Sequence, residues 1–415
     1  MLYDRRIRRD ILRYMDDKEA LVILGSRQVG KTSLLKLLVD DLKSQASTFY
    51  YDLEEPRILE VLDAGVDDFL QFLRAEGADR SRRNIVLLDE IQYLRDPSKF
   101  IKLMVDHHSD EVKLIVTGSS ALSIKMKFRD SLVGRKIVFH LYPLDFREVL
   151  VFKEEDRLSA LLPEDAFAAT TDEGWFYHRD YRRYLLEFLV FGGYPRVVLE
   201  DDVERKAKFL GEIVSTYVYR DVSSLFQLED ISKFNRLLSV LAAQIGNLLN
   251  ISNIGNAVGI TRQTVSRYIS ILESTFILSL LPPYFTNPKK EVTKSPKVYF
   301  LDNGIRNYLL RDLTQSELRG DIGRLLENLV YIGLVKRKGD LDRLHFWRTQ
   351  NGAEVDFVLE RGTRLFPVEA KWRGRPSRAL GSFMQRYSVE RGYVVHSGKF
   401  IPEGSRSFLP AWWVV

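Results

Sequence analysis

Gly25-Ser26-Arg27-Gln28-Val29-Gly30-Lys31-Thr32-Ser33 follows the apolar run Ala20 to Leu24 and leads into Leu34, Leu35, Leu37 and Leu38. Strand, glycine loop and helix in that order are what phosphate binding requires. Gly25 and Gly30 allow the backbone to turn without Cβ clashes. The N–H groups of Ser26, Arg27, Gln28 and Val29, with the positive end of a helix beginning near Thr32, can then converge on a β-phosphate. Lys31 is positioned to reach the β- and γ-phosphates, and Thr32 to offer its hydroxyl to a hydrated Mg²⁺, with Ser33 beside it. The stretch reads as a P-loop, with ATP or another nucleoside triphosphate as its ligand.

The rest of the front of the chain fits around that loop. Thr48 to Asp52, Asn84 to Leu88 and Lys113 to Thr117 are apolar runs divided by helical stretches, the pattern of a parallel sheet buried on both faces. The second run ends in Asp89-Glu90. A carboxylate at the C-terminal end of such a strand can hold the water shell of a metal, and its neighbour can act as general base, although two acids there also suit a helix start. The third runs into Thr117-Gly118-Ser119-Ser120, whose hydroxyls can sense a γ-phosphate or simply cap. Arg129 and Arg135 follow, as an arginine finger or as salt-bridge partners.

These motifs, with Leu87-Leu88-Asp89-Glu90-Ile91-Gln92, Gly134-Arg135 and Leu141-Tyr142-Pro143-Leu144-Asp145-Phe146-Arg147-Glu148, resemble a prokaryotic AAA+-like ATPase family related to the signal-transducing STAND ATPases. The resemblance covers almost the whole chain. It implies that Asp89 is the Walker B metal residue, Glu90 the catalytic glutamate and Ser119 the sensor. A finger at Arg135 acting in trans would require a homo-oligomer.

Further on, a helical pattern from Tyr177 to Val190 stops at Gly192-Gly193-Tyr194-Pro195. By its likeness to the Gly-x-Pro element of STAND ATPases, Pro195 would touch the adenine side of the nucleotide, and Tyr219-Arg220-Asp221 resembles a second element of that family. Apolar residues recur at helical spacing from Phe234 to Leu249. Ser252 can cap a short helix to Val258, and after the turn Gly259-Ile260 Thr261 can cap another to about Glu273. On the latter Val265, Ile269 and Leu272 form one stripe, opposite Arg262, Gln263, Ser266, Arg267 and Ser270. With strands from Phe276 to Tyr284 and Lys297 to Leu301, and Lys289, Lys290 and Lys294 between them, this reads as a winged helix, able to grip DNA or to serve as packing between domains.

The last segment carries a second candidate site. Asn351-Gly352 joins Leu344–Arg348 to Glu354–Leu359, and a two-residue loop at Gly362-Thr363 leads to Arg364–Lys371. That register sets Arg361 opposite Arg364 and Asp356 opposite Glu369. Alternation then places Glu354 and Asp356 on one face and Val355 and Phe357 on the other. Facing carboxylates repel unless a cation lies between them, and oxygen ligands suit Mg²⁺ or Mn²⁺. Asp356, Glu369 and Lys371, with Glu327 on a preceding helix, resemble the PD-(D/E)xK nuclease fold, with Val355 where that motif has proline. The resemblance implies Asp356, Glu369 and Glu327 as metal ligands and Lys371 as the residue that activates water. Lys336-Arg337-Lys338 and Arg373, Arg375 and Arg378 are basic clusters able to meet phosphates.

Composition sets limits. The 415 residues, 45% of them hydrophobic, suffice for several buried cores. With no cysteine, a disulfide framework or thiolate metal site is excluded, which fits a cytoplasmic protein. The start carries charges rather than a signal-like apolar run, and no stretch is long and apolar enough to suggest a membrane span. Residues 302–415 hold 19 Lys and Arg against 13 Asp and Glu, whereas residues 1–227 are net acidic. A polyanion is therefore expected at the back half. The expected architecture is α/β: an AAA+-like P-loop NTPase parallel sheet over residues 1–160 and a helical lid and linker over 161–227. A winged helix-turn-helix over 228–301 and an α/β restriction-endonuclease-like domain over 302–415 follow. The expected function is ATP hydrolysis coupled to DNA, or an ATP-dependent switch with a protein partner and an inert nuclease-like domain.

Overall fold

The computed structural model describes residues 2–44, 46–79, 82–118, 132–216, 230–285, 295–373 and 377–415. The chain divides into two compact units, residues 1–142 with 274–276, and residues 143–273 with 277–415.

In the first unit β1 (Ala20–Leu24), β2 (Thr48–Asp52), β3 (Asn84–Asp89), β4 (Val112–Gly118) and β5 (Lys136–His140) form one sheet in the order β2-β3-β4-β1-β5. Every pairing is parallel. The first four strands occur where the apolar runs put them. Alternation explains why those runs are unbroken: Leu21, Ile23, Leu87 and Ile115 pack with Leu34, Leu35 and Leu38 of the Lys31–Leu42 helix. Val22, Leu24, Leu88 and Val116 point the other way, onto Phe69, Leu70, Phe100 and Ile101. The fifth strand was not expected; it is an edge strand whose residues stay half-buried or exposed. β4 lies between β1 and β3, so the ends of these three strands share one rim of the sheet.

The second unit begins with helices. Phe146–Phe152 starts in a reciprocal capping box between Asp145 and Glu148, and His178–Phe191 ends at Gly192 (φ 73°). Pro195 opens the short Pro195–Val198 helix. Helices Ile231–Ala243, Ile251–Val258 and Arg262–Ser274 follow, with β6 (Leu278–Leu281) antiparallel to β7 (Lys297–Phe300). The first of these helices stops at Ala243, short of the expected Leu249. The chain turns at Gly246 (φ 74°), which donates to the Val298 carbonyl, and Leu248 bridges to Lys297. Asn250, not Ser252, caps Ile251–Val258, accepting from Asn253 N–H at 3.0 Å. Thr261 caps the next helix as expected.

A six-stranded mixed sheet closes the unit, built from β8 (Arg343–Arg348), β9 (Glu354–Arg361), β10 (Arg364–Lys371), β11 (Gly392–His396), β12 (Ile401–Glu403) and β13 (Arg406–Pro410). The order is β12-β13-β11-β10-β9-β8. The hairpin at Gly362-Thr363 has the expected register, Arg361 opposite Arg364 through to Phe357 opposite Val368. The ladder stops there, so the expected pairing of Asp356 with Glu369 does not form. A register shift in the β8–β9 pair also breaks the alternation. Val355 and Val358 both pack under the Arg378–Tyr387 helix, while Phe357 meets Tyr299 and Tyr331. No helix among the described residues is long and apolar enough to cross a membrane.

Candidate active site

The P-loop leaves β1 at a point where only glycine fits: a Cβ on Gly25 would lie 2.4 Å from the Leu141 carbonyl oxygen. Gln28 (φ 60°) and Gly30 (φ 101°) take left-handed conformations that bend the loop back onto the Lys31–Leu42 helix. Ser26 and Val29 are buried, Arg27 half-buried, and Gln28 and Ser33 exposed. Arg5, from before the first strand, is 5% exposed and braces the loop from below. It donates to the Val29 carbonyl at 2.9 Å and to that of Tyr142 at 2.8 Å.

Around this loop the four expected side chains come together. Lys31 Nζ donates to the carbonyls of Gly25 (3.4 Å) and Ser26 (3.2 Å) and lies 3.6 Å from Glu90 Oε1. Burial holds its ammonium below the usual lysine range, against the opposing pull of Glu90 and Asp89. Thr32 Oγ1 donates to Asp89 Oδ2 at 2.5 Å. The Tyr50 hydroxyl donates to the same oxygen at 3.1 Å, and that of Thr117 to Asp89 Oδ1. Burial and Asp89 raise the Tyr50 phenol well above its ordinary range, so it remains a donor. Thr117 also accepts the Glu90 N–H at 3.0 Å, which fixes Glu90 at φ 57° at the strand end. Gln92 donates to Glu90 Oε2.

The residues fit a hydrated Mg²⁺ beside a triphosphate. Thr32 and Asp89 supply adjacent hard oxygens, the lysine ammonium sits at the mouth of a helix N-terminus, and a second carboxylate stands next to the first. Tyr50 and Arg5 were not singled out from the sequence. Tyr50 reads there only as one residue of an apolar strand, and Arg5 as one charge in a basic start.

Arg135 Nε donates to Asp106 Oδ1 at 2.5 Å and its Nη1 to the Val133 carbonyl. Ser119, Arg129, Tyr219, Arg220, Asp221, Lys289, Lys290, Lys294 and Arg375 lie outside the described residues. Gly193 and Pro195 belong to the second unit, where Gly193 N–H donates to the buried Asp302 at 2.7 Å.

The second candidate site is less assembled than its sequence implied. Asp356 Oδ2 accepts from Ala370 N–H at 2.9 Å and lies 3.4 Å from Lys371 Nζ. Glu369, fully buried, is held by Ser377, accepting its N–H at 2.8 Å and its hydroxyl. Glu327 accepts from the Tyr299 hydroxyl at 2.7 Å and from Lys297 at 3.2 Å. No group of three or more His, Cys, Asp or Glu side chains among the described residues is arranged to hold a metal ion. Lys336 and Arg337, able from the sequence to meet phosphates, donate to main-chain oxygens of Pro143, Leu144, Trp413 and Val415. Arg262, Gln263, Ser266, Arg267 and Ser270 are all exposed, over buried Val265, Ile269 and Leu272.

Residues 17–150 match the family model described as an AAA domain. Residues 182–316 and 322–413 match two models described as domains of unknown function, DUF8612 and DUF4143. An uncharacterised protein of Haemophilus influenzae is 26% identical over 369 residues, 86% of this chain and 84% of its own. One of Methanocaldococcus jannaschii is 26% identical over 362 residues, 85% of this chain and 75% of its own. Among solved structures, a Walker-type ATPase of Pyrococcus abyssi aligns with 74% of this chain and 96% of its own, at 15% identity and a TM-score of 0.47. That last likeness carries no functional weight. Residues 17–150, which carry Lys31, Thr32 and Asp89, are thus similar to an AAA domain.

Proposed function

We propose that this protein hydrolyses ATP at the P-loop with Mg²⁺ and uses the cycle to act on nucleic acid, DNA in the first instance, through its second unit. The observation that carries the reading is the cluster of Lys31, Thr32, Asp89 and Glu90 on one rim of the sheet. Bound Mg²⁺ would supply charge neutralisation between the β- and γ-phosphates. Thr32 Oγ1 and Asp89 Oδ2 are the oxygens that would hold it or its waters. Lys31, nearly dehydrated, exchanges its contacts with two backbone carbonyls for phosphate oxygens, a stronger charge-assisted bond. Glu90, steadied by Gln92, takes the proton of the attacking water. In the same reading Arg135 serves a neighbouring subunit's site in a homo-oligomer.

For the nucleic acid, the exposed face from Arg262 to Ser270 presents two guanidinium groups and three short polar side chains over a packed stripe. Metal-dependent cleavage at Asp356, Glu369 and Lys371 is not part of the proposal, because Glu369 already serves Ser377. With Glu369 so engaged, the second reading is an ATP-dependent switch whose nuclease-like domain binds a protein partner.

Turnover and duplex binding test the proposal together. Glu90→Gln should retain nucleotide and lose roughly 10²- to 10⁴-fold in ATP hydrolysis, the span of general-base catalysis. Arg262→Ala combined with Arg267→Ala should weaken duplex binding and lower the slope of log affinity against log salt by about two. Absence of ATP turnover in the wild type sinks the ATPase assignment, and turnover unaffected by Glu90→Gln sinks Glu90 as its general base. Absence of binding to any nucleic acid, and of stimulation by it, would leave the switch.

A further inference from the structure

Lys297 stands on β7, 2% exposed, in a place where a lysine is costly. Its Nζ lies 2.6 Å from Glu354 Oε1 and 3.2 Å from Glu327 Oε1, with the Phe346 ring 5.5 Å away. Asp356 acts on the same ammonium, and the three acids together hold it above the usual lysine range in spite of burial. Glu327 shows the converse. Burial and Asp356 push its carboxyl up, and Lys297 and the Tyr299 hydroxyl pull it back. Gly246 seals the far side, since a Cβ there would meet Glu327 Oε1 at 2.9 Å.

We propose that Lys297 is the permanent cation of this carboxylate cluster: its ammonium neutralises the acids that a nuclease-like site would use to hold a divalent ion, so the C-terminal sheet holds no metal. Glu327, Glu354 and Asp356 carry three negative charges and already face two ammonium groups, Lys297 and Lys371. A divalent ion inserted among them would stand beside the buried like charge of Lys297. One oxygen of each of two carboxylates is also engaged: Glu327 Oε1 accepts two donors, and Asp356 Oδ2 accepts a main-chain N–H as well as Lys371. The remaining expected ligand, Glu369, is bound to Ser377 at the start of the Arg378–Tyr387 helix. Because Lys297 lies on β7 while Glu354 lies on β9, the pair between them fastens the two-stranded sheet to the six-stranded one.

Metal binding alone decides this role for Lys297, whatever the protein does with nucleic acid, so the two readings fail separately. The test uses the full chain carrying Asp89→Asn, which removes the metal ligand at the P-loop. Mn²⁺ binding is followed by electron paramagnetic resonance and by the shift in unfolding temperature. With Lys297 intact, no equivalent of Mn²⁺ should bind and the unfolding temperature should not move. Adding Lys297→Met should create one Mn²⁺ site and make the protein more stable with Mn²⁺ than without, and Asp356→Asn should abolish both gains. One equivalent of Mn²⁺ bound with Lys297 in place and lost in Asp356→Asn overturns the proposal, as does a folded Lys297→Met protein that gains no site. The first arm needs no change at Lys297, so Mn²⁺ bound there overturns the proposal even where that variant does not fold. Lys297→Met paired with Glu327→Gln, which removes one charge of each sign, should recover the fold.

Discussion

Asp302 is a carboxylate placed where water does not reach. Its two oxygens accept the N–H groups of Gly193 (2.7 Å) and Ile305 (2.9 Å), and a Cβ on Gly192 would fall 2.3 Å from it. Burial nonetheless outweighs these bonds and lifts its pKa to about 6. An acid raised in the folded state stabilises the fold fully below the unfolded value, and that contribution is lost as pH climbs through the folded value. Stability should therefore rise as pH falls from about 7 towards 4, by up to ~3 kcal/mol from this group. Urea denaturation across that range should show the segment in wild type and lose it in Asp302→Asn; an unchanged slope rules out Asp302 as its source. At this scale the sequence is readable where the constraint is local. Gly30, Lys31 and Thr32 declare themselves because loop conformation, helix start and charge are consecutive. Arg5, Tyr50 and Lys297 act through contacts many residues away, and no spacing rule joins Lys297 to Glu327 or Glu354.

Among the elements, the pair Ile251–Val258 and Arg262–Ser274 shows how one turn sets a packing geometry. Gly259 (φ 76°) ends the first helix in the left-handed region, and a Cβ added there would meet nothing within 4 Å. Gly259→Ala should cost only the conformational penalty, about 1–2 kcal/mol. Gly255 is different. Within a helix alanine would ordinarily help by about 1 kcal/mol, but a Cβ at 255 would lie 2.8 Å from the Ile260 carbonyl oxygen, a backbone atom. Gly255→Ala should therefore be the more destabilising of the two by chemical denaturation, and the opposite ranking would mean that the turn can shift. The helices here are legible because apolar spacing is a short-range signal, although the cap of the first lies at Asn250 rather than Ser252. β9 was legible only in part: the two-residue loop fixes its register with β10, but its irregular pairing with β8 turns Val355 and Phe357 to opposite sides. Period-two reasoning does not foresee an added residue in a ladder.

Across the whole molecule, each of the two compact units has its own buried core. Ligand that binds one folded unit stabilises that unit by mass action, about 2.7 kcal/mol at a hundred times its dissociation constant. Calorimetry with Mg²⁺ and a non-hydrolysable ATP analogue should raise an unfolding transition assigned to the first unit and leave the second in place, and Lys31→Ala should remove the shift. A single transition that moves as one would show the units to be thermodynamically inseparable. The bond from Arg5 to the Val29 carbonyl bears on how such a chain can be divided. The AAA match begins at residue 17, after the strut that steadies the phosphate loop. A fragment excised at the limits of its recognisable motif would keep every signature residue and leave behind the guanidinium that holds them in shape.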